Sequence, residues 1–366
     1  MTRVALALYT WLLVACLGHA SRPIPPRSPP RPLDAAFFAT TPGDPRMRVH
    51  LIDVGQGAAT LVEFSCGAIL IDTGGESNRY MDSTQNLMLY LQAFFESRPD
   101  LDNTLSLVVL THPHIDHTRG ARVVLGEFKV KNLITNGLFT SSGGRDQKAA
   151  VSAAKGKGIP TETIQTRSIP AGGLTSPIID PIACADGDPD IRVLWGAVDS
   201  SVGWSVDDVE NFNNQSIVVR VALGASSLLI TGDLELDDAL LAKHKGTAAL
   251  DVDVYQVGHH GSYNATSDRL LKALTPKLAL IACGAADRKT TWSAWAYGHP
   301  RLVTIELLER ALAGAPPRPP VVVGVAGGAK AFDGREIRVP IYASPWDSDV
   351  IVSMFADGRL ETKTRR

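Results

Sequence analysis

An apolar run, Leu107-Val108-Val109-Leu110, empties through Thr111 into His112-Pro113-His114-Ile115-Asp116-His117. The run reads as a buried strand, so four metal-capable side chains stand in one short turn at a strand's end. Few folds carry such a turn. Imidazole and carboxylate donors crowded this closely suit zinc, manganese or iron, and they suffice for two adjacent cations. The plain alternative is a polar turn rich in capping residues, but three His and an Asp in six positions exceed what capping needs.

The rest of the chain repeats the theme of a strand ending in a polar turn. Arg48 to Val54 reads as a first strand, Gly55-Gln56-Gly57 turns the chain into Thr60 to Phe64, and Ala68 to Ile71 ends at Asp72-Thr73-Gly74-Gly75. From Arg79 to Glu96 the residues Leu87, Leu91, Phe94 and Phe95 recur at helical spacing, which predicts a helix with one face on the sheet. A strand at Leu133 to Thr135 and a helical stretch at Ala149 to Lys155 continue the alternation. Ser216 to Leu223 and Ser227 to Ile230 flank Gly224 as a hairpin. Further strands are predicted at Ile191 to Leu194, Val252 to Val257, Leu278 to Ala282 and Val321 to Val323, with helices near Leu236 to His244, Ser267 to Leu274 and Leu302 to Leu312. Residues 159–210, rich in Pro, Gly and Asp, predict loops over one end of the sheet. Strands with their own helices in both halves predict an α/β fold of two face-to-face sheets with helices outside, a four-layer αββα sandwich.

Four more polar constellations end predicted strands. They are Asp72 in Ile71-Asp72-Thr73-Gly74, Asp233 in Thr231-Gly232-Asp233, the tandem in Gly258-His259-His260-Gly261-Ser262, and His299 in Tyr297-Gly298-His299-Pro300. A lone strand-end Asp is what a turn wants, whereas the whole set in this order points to one shared site. The spacing His-x-His-x-Asp-His looks like the signature of the metallo-β-lactamase superfamily. Together with Asp53-Val54-Gly55-Gln56-Gly57 and Asn213-x-x-Ser216, the motifs resemble, in sequence order, the extracytoplasmic metallo-β-lactamase-like domain of ComEC competence proteins. The likeness runs from about Arg48 to the C-terminus.

That resemblance implies a metal-dependent hydrolase with two divalent ions, zinc favoured and manganese the alternative. The ComEC domain is associated with nuclease activity on DNA, so a phosphodiesterase or nuclease-like reaction is implied. By motif, His112 and His114 would hold the first ion, Asp116, His117 and His299 the second, and Asp233 would bridge them. Water between two such cations falls from a pKa of ~15.7 toward ~7, which yields hydroxide as nucleophile at neutral pH. Asp72 would orient a ligand imidazole from behind, and Asn213 and Ser216 would fix the neighbouring turn. Many superfamily members give the first ion a third His, yet no histidine lies between His117 and His244. The tandem His259-His260 is expected to divide the labour: one ring completes the first ion's set, and the other donates a proton or stabilises an oxyanion beside Asp116.

Departures from the family pattern bear on substrate. Ala58 stands where an Asp is usual, Arg119 replaces a common Gly, and Trp295 follows an apparent insertion from Ala285 to Ala294. Trp292 and Trp295 could stack on a base, sugar or quaternary amine at the mouth, although loop aromatics more often pack locally. His50 and His244 read as structural or solvated. A β-lactam or lactone hydrolase would use the same donors. The alternative of another class is a non-catalytic binding domain, against which Asp116, His117, Asp233 and His299 speak, since buried charges and imidazoles are costly unless paired or metallated.

With 36 basic and 38 acidic residues the formal charge is −2, which excludes a global field recruiting nucleic acid or an anionic membrane. A small-molecule or nucleic-acid phosphodiester would therefore need a local site; Lys129, Lys131, Lys148, Lys155 and Lys157 are scattered, Lys363 to Arg366 reads as a solvated end, and no protein partner is evident. Residues 1–20 read as an export signal, with Arg3 before an apolar run too short to span a bilayer comfortably. Gly18-His19-Ala20 offers one cleavage site, and Leu13-Val14-Ala15-Cys16 resembles a lipobox that would place a lipid on Cys16. Residues 21–46 form a proline-rich linker with six prolines between Pro23 and Pro32, and residues 47–366 the hydrolase domain. The chain is thus expected in the periplasm or outside the cell, touching membrane only through a lipid anchor. Cys66, Cys184 and Cys283 allow at most one bridge and read as small buried residues. If the lipobox operates, Cys16→Ser moves the protein from the membrane to the soluble extracytoplasmic fraction, as fractionation and immunoblotting would show; a wild-type protein already soluble and beginning at Ser21 contradicts the anchor.

Overall fold

Alternation along the first strand decides the layering. A computed structural model describes residues 22–25, 30–40, 47–199 and 203–366, so the expected export signal and Cys16 lie outside the described residues. In β1 (Met47–Leu51), Met47, Val49 and Leu51 enter one apolar cluster while His50 turns to the opposite face, against Tyr90 and Phe94. β2 (Thr60–Phe64) and β3 (Gly67–Ile71) follow antiparallel, then β4 (Thr104–Leu110), β5 (Lys129–Thr135) and β6 (Thr161–Thr163) run parallel to β3. The helix Ser83–Ser97 buries Leu87, Leu91, Phe94 and Phe95 on the outer face of this sheet, beside Leu61, Leu70 and Val108.

The second sheet begins with β7 (Asp190–Trp195), β8 (Val218–Leu223) and β9 (Ser226–Ile230); β8 and β9 form the hairpin expected at Gly224. β10 (Val254–Gln256) and β11 (Leu278–Ile281) add parallel neighbours. A separate hairpin, β12 (Val321–Gly328) with β13 (Ala331–Ile337), covers the outer face with the helices Asp237–Lys243, Asp268–Leu274 and Leu302–Ala311, and β14 (Ile341–Ala343) joins the edge at β11. The chain then returns to the first sheet, where β15 (Val350–Met354) pairs with β1 and β16 (Leu360–Thr364) with β15. Val49, Val62, Ile69 and Val109 of one sheet meet Val219, Leu228, Val254 and Leu280 of the other in the inter-sheet core. The architecture is the expected αββα sandwich, and each such aliphatic side chain contributes about 1.5–3 kcal/mol by burial.

Several local expectations are corrected. Lys363 to Arg366 is not a solvated end: Lys363 lies in β16, and Arg365 Nε sits 2.8 Å from Asp349 Oδ2. The described parts of the proline-rich stretch are docked, with Arg22 bridged to Gly334 and Phe37 and Phe38 packed against Tyr90. Residues 159–210 supply an edge strand to each sheet, and Cys66 and Cys184 form a disulfide across 118 residues, while Cys283 is free and buried. His244 is buried, its Nε2 2.8 Å from the Leu194 carbonyl, so it is structural rather than solvated. Among the described residues no helix is long and apolar enough to cross a membrane.

One buried network ties β1 to β2 and to the helix end. Glu63 pairs with Arg48 and Arg98, and His50 Nε2 lies 3.1 Å from it. Burial opposes ionisation of Glu63, but His50, Arg48 and Arg98 outweigh it and bring its pKa down from 4.5 to about 2. A depressed carboxyl contributes stability above pH ~4.5 that is lost as pH falls toward ~2. Glu63→Gln leaves Arg48 buried without its counter-charge and should cost about 3–5 kcal/mol, read from urea denaturation at pH 7; a loss below about 1 kcal/mol would show the network to be dispensable.

Candidate metal centre

The parallel strands bring their C-terminal ends to one edge of the sandwich, and the motifs sit there. Asp72 follows β3 with φ +60, a left-handed conformation that points its carboxylate at the end of β4. Its two oxygens accept the Thr111 amide and hydroxyl, both at 2.8 Å, and Oδ2 lies 2.7 Å from His117 Nδ1. His117 is thereby turned so that Nε2 faces the centre. The turn carrying Asp116 and His117 presses on the glycine pair after Asp72: Ala58 and Thr73 donate their amides to the Asp116 and His117 carbonyls, and a Cβ on Gly74 would lie 2.0 Å from the Asp116 carbonyl oxygen. Only glycine fits there.

From the second sheet, Asp233 follows β9, its amide donating to Ser216 Oγ at 3.0 Å. The same hydroxyl is 3.3 Å from His112 Nδ1, so Ser216 supports a carboxylate and an imidazole at once. The tandem after β10 forms a tight turn in which His259 (φ 49) and His260 (φ 56) are both left-handed. The His259 amide donates to the Gly232 carbonyl, and His260 Nδ1 donates to the Ala282 carbonyl at 2.7 Å, leaving its Nε2 for the centre.

Two groups of donors converge. His112, His114 and Asp233 form one, Asp116, His117 and His260 the other, and within each the ligand atoms lie within 4.8 Å of one another. Asp233 Oδ2 is 3.7 Å from His112 Nε2, 3.3 Å from His117 Nε2 and 3.4 Å from His260 Nε2, so it stands between the groups. His260 Nε2 is also 3.4 Å from Asp116 Oδ2 and 3.2 Å from His117 Nε2. Imidazole nitrogens aimed at one another around buried carboxylates are the donor set that divalent cations satisfy, so these residues fit two such ions.

The assignment of ligands differs from the expected one in two places. His299 belongs to neither group; its Nδ1 takes the Gln56 amide at 3.2 Å and its ring stacks on Tyr297 at 5.7 Å. His260 stands in its place beside Asp116 and His117, because the left-handed turn folds that ring back under β11. No ring of the tandem joins His112 and His114, whose third donor is Asp233. His259 lies at the rim with its side chain 20% exposed, Nε2 3.9 Å from Asp233 and Nδ1 3.5 Å from Glu235. Asn213 does not reach an imidazole; it holds Glu235 at 2.6 Å, joined by Asn211 at 3.1 Å. Gln56, Glu235 and Tyr297 were not singled out from the sequence as site residues, although Gln56 and Tyr297 stand inside quoted motifs and Glu235 two residues past Asp233.

Without metal the charges compensate one another. Burial lowers His112 well below an ordinary imidazole, with His117 adding to the effect, and burial lowers His114. For His117 burial also opposes protonation, but Asp233 and Asp72 push it well above the ordinary value; His260 rises likewise to about 10 through Asp233 and Asp116. Asp233 and Asp116 are held down by these imidazoles in spite of burial. His117 and His260 therefore carry protons at pH 7 until a cation displaces them, and affinity should rise with pH up to about 10. Calorimetric titration of zinc into chelated protein at pH 7, in buffers of different protonation enthalpy, should report about two protons released per fully loaded chain. Release of none contradicts this charge arrangement.

Comparison with known proteins agrees with this geometry. The metallo-beta-lactamase superfamily profile matches residues 52–285. ComE operon protein 3 of Bacillus subtilis is 28% identical over 272 residues, covering 72% of this chain and 30% of that protein. Recombination protein 2 of Haemophilus influenzae is 28% identical over 256 residues, covering 70% of this chain and 26% of its own length. The chain thus spans under a third of either relative. Among solved structures, Igni18, described as a metallo hydrolase of Ignicoccus hospitalis, is 15% identical over 64% of this chain and 81% of its own, with a TM-score of 0.37.

Proposed function

We propose that this chain, which belongs to the metallo-beta-lactamase superfamily, is an exported hydrolase that cleaves phosphodiesters with two divalent cations, zinc favoured. One observation carries the reading: a single carboxylate oxygen, Asp233 Oδ2, stands between two triads of donors. When bound, paired cations supply Lewis-acid polarisation of a phosphoryl oxygen and lower the pKa of water. The protein's own residues position everything else. Asp72 and Ser216 hold His117 and His112 from behind, and Ala282 fixes the tautomer of His260. His259, partly exposed at the rim and steadied by Glu235 and Asn264, is the group placed to give a proton to a leaving oxygen. His299 lines a neighbouring cavity of about 890 Å³ that reaches the β12–β13 hairpin, space enough for the leaving part of a substrate.

The phosphodiester preference is supported by the relatives, whose names record competence and recombination. Export is supported by the signal-like residues 1–20 and by the Cys66–Cys184 disulfide, a bond that persists in oxidising compartments. Asp233→Asn keeps the shape of the side chain and removes its charge. Metal content should fall below two ions per chain, and hydrolysis of bis-nitrophenyl phosphate by about 100-fold or more. Full metal content with wild-type turnover would remove Asp233 from the reaction and overturn the reading.

A further inference from the structure

Trp292 is the most exposed large apolar side chain among the described residues, at 75%. Its backbone is left-handed (φ +60), a conformation that bulky L residues adopt at a cost and that clusters at functional sites. It lies in the stretch Ala285 to Ala294 that precedes the Tyr297-Gly298-His299-Pro300 motif. Trp295 behaves otherwise: its ring lies under Lys330 Nζ at 5.4 Å and is part of the local packing.

From Trp292 a row of rings runs inward to the metal centre. Trp292 and Tyr297 have ring centroids 6.3 Å apart, Tyr297 and His299 5.7 Å at 24°, and His299 and His260 6.2 Å at 26°. The row passes from an exposed ring through a half-buried one to two buried ones. Among the described residues the Tyr297 hydroxyl has no hydrogen-bond partner, and the Asp116 carboxylate acts on it electrostatically, which places it near the second donor group. Lys289, exposed in the same loop, forms no ion pair among the described residues.

We propose that Trp292 and Tyr297 form a stacking platform for a base of single-stranded nucleic acid and lead its phosphodiester to the donor groups. The proposal rests on the phosphodiesterase reading and names the substrate class for it. Flat exposed rings recognise any base with a free π-face, which a duplex hides by its own stacking. Lys289 adds a phosphate contact on the same loop. A sugar would meet these rings edge-on through hydroxyls, and nothing beside Trp292 is arranged to receive them.

The test uses the full chain loaded with zinc and fluorescent ten-residue oligomers with phosphorothioate links that resist cleavage. One bears thymine on deoxyribose, one uracil on ribose, and one is an abasic chain of equal charge; binding is read by anisotropy. Both base-bearing strands should bind roughly 5- to 150-fold more tightly than the abasic chain. Trp292→Ala should remove most of that preference without changing affinity for the abasic chain, and Trp292→Phe should retain it. Equal binding of abasic and base-bearing strands, an unchanged preference in Trp292→Ala, or no binding of the base-bearing strands each overturns the platform. The readout is independent of turnover. If the preference is present and lost in Trp292→Ala while no phosphodiester is ever cut, the platform stands and the hydrolase reading fails.

Discussion

Asp233 Oδ2 lies between 3.3 and 3.9 Å from the Nε2 atoms of four histidines, and most of the molecule's construction serves to keep it there. A carboxylate this deeply buried loses several kcal/mol of solvation, so it persists only where positive charge surrounds it. Protonated His117 and His260 supply that charge without metal, and divalent cations supply it more fully. The centre is therefore organised by one anion rather than by its histidines, which converge on it from both sheets.

The two sheets contribute in complementary ways. The first presents His112, His114, Asp116 and His117 from the turn after β4, anchored to β3 through Asp72. The second presents Asp233 and His260 from the ends of β9 and β10. Backbone strain is concentrated at this seam: Asp72, His259 and His260 are all left-handed without being glycine. Each costs of order 1–3 kcal/mol, which the inter-sheet core offsets many times over.

Much of this was legible in the sequence. Period-two alternation and strand-end turns located both sheets, the hairpin at Gly224 and every element that carries a donor, because those strands are buried and their patterns sharp. What failed did so for physical reasons. β16 reads Leu360-Glu361-Thr362-Lys363-Thr364, the polar face of an edge strand, which looks like a solvated tail until its partner β15 is known. The Cys66–Cys184 bridge closes 118 residues and leaves no mark in spacing. The choice between His260 and His299 depended on two left-handed residues that no pattern announces, and both rings reach the same neighbourhood, 6.2 Å apart. Glu235 was passed over because its role passes through His259, an indirect contact that only the folded chain reveals.

Anomalous scattering at the zinc edge, recorded from crystals of the zinc-loaded protein, addresses the central claim without assuming a substrate. The account requires two peaks per chain on either side of Asp233, one among His112, His114 and Asp233 and the other among Asp116, His117 and His260. A single peak, or a second peak held by His299 with His260 turned away, would contradict it.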